Sequence, residues 1–259
     1  MDSSPDVPLQ LPGYAELHCL SNFSFLRGAS HAEELARQAA QLGYSALAVT
    51  DECSLAGIVR AHVAAKEKKL KLIVGSEFRL QDGLRLVLLA PHRKAYGALC
   101  SLITTGRGRM KKGAYSLSRQ DLDPHLRAGL LALLVPEEKP SLEDAYWVRE
   151  QFAGRGWLAA ELHCGPNDLG KLKQLAGISK GSGLPLVAAG DVHMHLRSRR
   201  RLQDTLTAIR LGKTVGECGD ALHPNGERHL RPRLRLAQLY PPELLLENTG
   251  DCAPLQFFS

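Results

Sequence analysis

Eight side chains able to ligate a metal ion or carry a proton stand at the ends of short apolar runs: His18, Asp51, Glu52, Glu77, His163, Cys164, Asp191 and His193. Imidazole, carboxylate and thiolate together suit zinc, and a larger share of oxygen also suits manganese or iron. In GDVHM, one residue separates Asp191 from His193, so on an extended backbone both side chains leave on the same side. A single His or Asp after a strand is more often a turn former or helix cap than a ligand, and Asp51 alone could be such a cap. Recurrence at the end of one apolar run after another is what makes the metal reading competitive.

The runs that must position these residues read as strands over Ala15–Leu20, Ala46–Asp51, Leu70–Phe78, Leu84–Ala90, Leu130–Val135, Trp157–His163 and Leu184–Asp191. Helical patterns fall over Ala32–Leu42, Leu55–Lys68, Lys94–Thr104, Leu142–Phe152, Leu169–Lys180 and Leu202–Leu211. Ser30 with Glu33 reads as a capping box and Ser141 with Asp144 imitates it, while Gly43 and Gly154 stand where left-handed helix stops are wanted. Continuous apolar strands alternating with helices predict a parallel sheet, as a barrel or a doubly wound open sheet. No G-x-G-x-x-G follows the first strand, which disfavours a dinucleotide site. In a parallel barrel all strand C-termini open on one face, where the eight residues would converge.

The 259 residues, 44% apolar and 23% charged, suit one large soluble α/β domain. No apolar run is long enough to span a membrane and the N-terminus has no secretion signal, so a cytoplasmic protein is expected. Six scattered cysteines without a C-x-x-C pair argue against a zinc ribbon or a disulfide framework. A net charge of +6 is compatible with a polyanionic partner. Basic runs lie at 106–113, 195–201 and 228–235. Arg107, Arg109, Lys111, Lys112, Arg199, Arg200 and Arg201 are the candidates for phosphate-backbone contact. Aromatics are only 5% and do not interleave with these runs, so base stacking is not expected. The chain divides into a flexible segment 1–13, a barrel domain 14–211 and an irregular, Gly-, Pro- and Arg-rich extension 212–259. Its apolar ending, LQFFS, reads as a piece of a longer polypeptide.

LHCLSNFSFLRGAS, ALAVTDECSLAGIVRAHVAAKEKKLKLIVGSEFRL, YSLSRQDL, AAELHCGPND and AAGDVHMHLRSRRRLQDTLTAIRLG together resemble the polymerase and histidinol phosphatase (PHP) domain. The form resembled begins bacterial C-family DNA polymerases, and the last segment looks like their error-prone, damage-induced branch. The resemblance implies a distorted (β/α)7 barrel whose mouth holds up to three metal ions and hydrolyses phosphoesters, sometimes as a 3′–5′ exonuclease. It also implies losses. The family's H-x-H keeps His18 but has Leu20, an aspartate is replaced by Arg27, T-D-H becomes Thr50-Asp51-Glu52, and a fourth-strand histidine becomes Arg85. Glu77, Asp191 and His193 are kept, and Cys164 or His163 stands at the late His/Cys position.

Leucine cannot ligate, and arginine has no lone pair to offer. The expectation is therefore a degenerate site without catalytic residues, with Arg27 pairing at least one carboxylate. It would bind no metal, or at most one zinc or manganese ion through His18, Glu52, Glu77, Cys164, Asp191 and His193. Polymerisation with magnesium would belong to a region beyond this chain. The implied partners are those further polymerase domains, DNA, and mutasome or replisome proteins, with no membrane. A basic run such as 197–201 could also pack against the further domains. The competing functions are a metal-dependent phosphoesterase or proofreading exonuclease, disfavoured by Leu20 and Arg27, and a free-standing small-molecule phosphatase.

Overall fold

A computed structural model describes residues 11–122, 129–137, 140–245 and 248. Most of the N-terminal segment 1–13 and the last residues of the extension thus lie outside the described residues. Seven strands form one sheet in chain order: β1 Ala15–Glu16, β2 Ala46–Val49, β3 Lys71–Arg79, β4 Arg85–Leu89, β5 Leu131–Leu134, β6 Gly156–Glu161 and β7 Leu186–Ala189. The helices are α1 Ala32–Gln41, α2 Ile58–Glu67, α3 Arg93–Gly108, α4 Leu142–Gln151, α5 Asp168–Ser182, α6 Arg200–Leu211 and α7 Arg233–Leu239.

Strand alternation sorts the apolar residues into two cores. Ala15, Ala46, Ala48, Ile73, Val87, Leu89, Leu133, Ala159, Val187 and Ala189 fill the barrel interior. Their neighbours, among them Leu47, Val49, Leu72, Leu86, Leu88, Leu158 and Ala188, face the helical layer with Leu35, Leu99, Val148 and Leu175. Ser141 accepts the Asp144 amide at 3.1 Å, and Gly43 and Gly154 turn with φ of +69°, as their positions predict. The first helix starts at Ala32 as its pattern predicts, but its cap falls one residue later than the Ser30/Glu33 reading. His31 is its cap, its amide donating to Glu34, while the Ser30 hydroxyl lies 2.8 Å from His195 Nδ1 and accepts the His195 amide.

The expectation of an all-parallel sheet fails at β4, which runs antiparallel to both β3 and β5. Only residues 80–84 separate β3 from β4, too short a link for a crossover, so the two form a hairpin. The reversal matters for the site, because it brings the start of β4 to the end of the barrel where the other strands finish. No ladder joins β7 to β1 among the described residues. The barrel closes there through a bridge between Cys19 and Val192, with Leu20 N–H donating to Val192 at 2.8 Å and Val192 N–H to His18 at 2.9 Å. The chain after 211 packs back on the barrel, burying Leu230, Leu236, Tyr240 and Leu245 in the outer core. Among the described residues no helix is long and apolar enough to cross a membrane.

Candidate functional site

The inward-facing rows of β3, β4, β6 and β7 each continue into a charged residue at the barrel mouth. Glu77 follows Ile73 and Gly75, Arg85 precedes Val87, Glu161 follows Ala159, and Asp191 follows Ala189. His18, fully buried, lies among them: Nδ1 is 2.6 Å from Glu161 and Nε2 is 2.8 Å from Glu77. Ligand atoms of His18, Glu77 and Asp191 all fall within 4.8 Å of one another, the spacing a single ion would need.

Three guanidinium groups enter the same space. Arg27 Nη1 donates to Glu52 at 2.5 Å and Glu77 at 2.6 Å. Arg85 donates to Glu77 from Nε at 3.0 Å and from Nη2 at 2.5 Å, and reaches Asp191 at 3.3 Å. Arg228 pairs with the other Asp191 oxygen. These cations are a half-step from solvent, whereas Glu77 and Asp191 are almost wholly buried. Burial would lift the Glu77 pKa, but Arg85, His18 and Arg27 hold it well below the usual carboxylate range. Burial likewise opposes the charge on His18, yet Glu161 and Glu77 prevail and raise its pKa. Glu161 is pushed down to about 2: burial acts upward, and His18 and Arg85 more than offset it. Arg228 falls to about 10, chiefly through burial.

Asp51 belongs to a different unit. It accepts hydrogen bonds from the amide and hydroxyl of Ser21 at 2.8 and 2.7 Å, and from those of Ser24 at 3.1 and 2.7 Å. Asp51 therefore shapes the loop that carries Arg27, and a Cβ on Gly28 would collide with the Ser21 carbonyl at 2.0 Å. Leu26, Cys53 and Asp191, each beside or within the charge cluster, adopt left-handed φ between 44° and 58°, as do Cys164 and, away from the mouth between α2 and β3, Lys69. Asp51→Ala is expected to cost about 3 kcal/mol, since buried donors lose a charged acceptor. Chemical denaturation checks this, and a change below about 1 kcal/mol would show that the loop holds itself.

The other residues singled out in the sequence are distributed as follows. Glu52 sits at the rim between Arg27 and the Tyr115 hydroxyl, which donates to it at 3.0 Å. His193 Nε2 is 3.0 Å from Asp191 Oδ1, and its buried Nδ1 has no hydrogen-bond partner among the described residues. His163 lies 3.0 Å from the Gly190 carbonyl, and burial followed by Arg228 holds its pKa well down. Cys164 stands apart from the His18–Glu77–Asp191 group, between Glu227 at 3.4 Å and Arg235 at 3.3 Å. Leu20 is fully buried. Arg107 donates to the carbonyls of Cys53 and Glu52, Arg109 is bidentate to Asp121, Arg199 pairs with Glu34, and Arg200 with Asp204. Lys111, Lys112 and Arg201 are exposed.

Two members of the cluster escape a reading by strand ends. Glu161 is signalled by period two, since it shares a face with Ala159, but His163 and Cys164 beside it are more conspicuous ligands. Arg228 has no local signal. It arrives from an irregular segment, and its backbone carbonyl also accepts the His193 amide at 2.9 Å.

A seven-stranded, nearly closed α/β barrel meets the fold expected from the sequence motifs, and residues 16–154 match the PHP domain family; the chain belongs to it. It is 58% identical over 253 residues to the error-prone DNA polymerase of Dechloromonas aromatica, covering 96% of this chain and 25% of that protein. It is 55% identical over 239 residues to the error-prone DNA polymerase of Pseudomonas aeruginosa, covering 92% of this chain and 23% of that one. The chain thus spans about a quarter of the length of the curated relatives it matches. Among solved structures, an amidohydrolase from Chromobacterium violaceum, with bound sulfate and no metal, superposes with a TM-score of 0.55 at 15% identity, covering 70% of this chain and 88% of that one. That likeness concerns the fold.

Proposed function

We propose that the chain is the PHP domain of an error-prone DNA polymerase acting in damage-induced translesion synthesis, and that its barrel mouth is a structural charge cluster without hydrolytic activity. The single observation that carries the second half is the seating of Arg27, Arg85 and Arg228 on the carboxylates that a metal would use. With His18 protonated, these cations balance Glu52, Glu77, Glu161 and Asp191 without any ion. A multinuclear centre does not fit these side chains. Leu20 offers no donor, the guanidiniums offer only N–H groups, and His18 directs both ring nitrogens at carboxylates. Two-metal hydrolysis needs adjacent cations to activate water and hold both displaced oxygens, so no hydrolytic step is assigned to this mouth.

Polymerisation, with its magnesium ions, would belong to the remaining region of the longer chain, which is also the proposed principal partner. DNA contact and association with mutasome or replisome proteins would follow from membership of that polymerase, in the cytoplasm. Lys111, Lys112 and Arg201, with Arg109 on its Asp121 pair, are the basic candidates with exposed side chains for phosphate. A second reading, one zinc or manganese ion on His18, Glu77 and Asp191, is favoured by their mutual reach of 4.8 Å.

Metal analysis separates the two readings. The purified chain is expected to hold no divalent ion after chelation, to keep its melting temperature when zinc or manganese is added, and to leave the 3′ ends of DNA intact. One ion per chain surviving dialysis would support the second reading. Manganese-dependent degradation of 3′ ends, abolished by Asp191→Ala, would overturn the first.

A further inference from the structure

The weakest join in the barrel is the seam between β7 and β1, where no ladder forms among the described residues and one bridge at the mouth stands in its place. An unpaired seam exposes strand N–H and C=O groups that need partners. Below the bridge, Glu16 supplies one, accepting the Gly190 amide at 2.8 Å. Further partners come from the chain after residue 227.

We propose that residues 228–245 together with Asn248 form a strap that closes this seam and ties it to the arginine cluster. Asn248 spans the gap directly: its Oδ1 accepts the Ala15 amide at 2.7 Å, and its Nδ2 donates at 2.9 Å to the carbonyls of both Ala15 on β1 and Ala188 on β7. Tyr240 anchors the same segment beside the seam, on the β7 side, its hydroxyl accepting the Leu162 amide just after β6 at 3.2 Å and donating to the Ala189 carbonyl of β7 at 2.8 Å. Arg231 anchors the segment on either side of it, donating to the Leu162 carbonyl after β6 at 2.8 Å while the Tyr44 hydroxyl, just before β2, donates to the Arg231 carbonyl at 2.8 Å. The upper end of the same segment places Arg228 on Asp191.

Asn248, which spans the seam, and Tyr240 and Arg231, which anchor the segment beside it, are all buried to within 2%, so none of these bonds has a ready solvent substitute. A pull on the chain at Asn248 is therefore felt at Ala188, in the strand that leads to Asp191. The strap makes the barrel mouth sensitive to what lies beyond it in the polypeptide. That coupling is conformational and needs no metal.

Cys19 reports on the seam because it forms the bridge to Val192 and is wholly buried, while Cys53, equally buried on the β2–β3 side, serves as an internal reference. In the whole chain, Asn248→Ala is expected to raise the alkylation rate of Cys19 about tenfold or more, since three hydrogen bonds are removed. Labelling at Cys53, resolved by mass spectrometry, should stay unchanged. Tyr240→Phe, which keeps the ring and removes only the hydroxyl, should act in the same direction with a smaller rise. Equal acceleration at both cysteines in both variants would mean global loosening and overturn the strap. No change at Cys19 in a folded Tyr240→Phe protein would overturn it as well.

Discussion

Glu77→Gln is expected to lower the stability of the domain by about 3–5 kcal/mol, the range for breaking a buried ion pair from one side. The carboxylate is 2% exposed and answers Arg27, Arg85 and His18 at once. Glutamine keeps the volume but leaves three donors facing a neutral group, two of them permanently charged. For a domain of this size the melting temperature should fall by about 10 °C. The same loss should appear with and without a chelator, because the charges that Glu77 balances belong to the protein. A shift below about 2 °C would mean that water reaching the mouth already screens the cluster. A double variant, Glu77→Gln with Arg85→Met, should recover part of the loss, since removing both partners is gentler than stranding one.

Acid should weaken the protein through the same residues, and the sign can be worked out group by group. Glu77 and Glu161 titrate below their unfolded values, Glu161 at about 2. Their contribution is complete above the unfolded carboxylate value, about 4.3, and is lost as the pH falls through the folded values. His18 is the reverse case, with a raised folded pKa. Its contribution is complete below the unfolded imidazole value of about 6.5 and fades as the pH rises through the folded value. The cluster is thus strongest between about pH 4.5 and 6.5. Buried Asp51 and Glu16 have raised values, burial being the main cause, and act in the opposite direction at low pH. The cleaner observable is consequently the stability difference between the native chain and Glu161→Gln. That gap is expected to be on the order of 3 kcal/mol near pH 5.5 and to close toward pH 2. A gap that does not depend on pH would remove Glu161 from the ionised cluster.

Much of the architecture is legible without coordinates, because strand and helix periodicity reports burial directly. The seven apolar runs become the seven strands, but residues 79–83, all that lies between the runs Leu70–Phe78 and Leu84–Ala90, are too few for a parallel crossover and leave only a hairpin, a signal that the expectation of an all-parallel sheet passed over. What periodicity understates is the consequence of that hairpin. Reversing β4 turns a residue at the start of a strand, Arg85, into a mouth residue, whereas an all-parallel sheet would place it at the closed end. The first strand shows the opposite discrepancy. Its apolar run extends to Leu20, but regular pairing with β2 stops at Glu16, and beyond it Cys19 makes only the isolated bridge to Val192.

The sequence by itself determined which groups could meet: residue types at strand ends put Glu77 and Asp191 among the candidates, and the motif pattern marked Leu20, Arg27 and Arg85 as foreign to a metal centre. Only the tertiary structure decided what those arginines touch. Arg27 meets Glu77 across 50 residues of chain and Arg85 meets Asp191 across 106. Arg228 belongs to a run that reads as a solvent-facing basic stretch, yet it turns inward because Asp191 lies buried behind it and needs a cation. Local pattern records the face on which a side chain leaves the backbone. Which distant charge waits there depends on how the barrel closes.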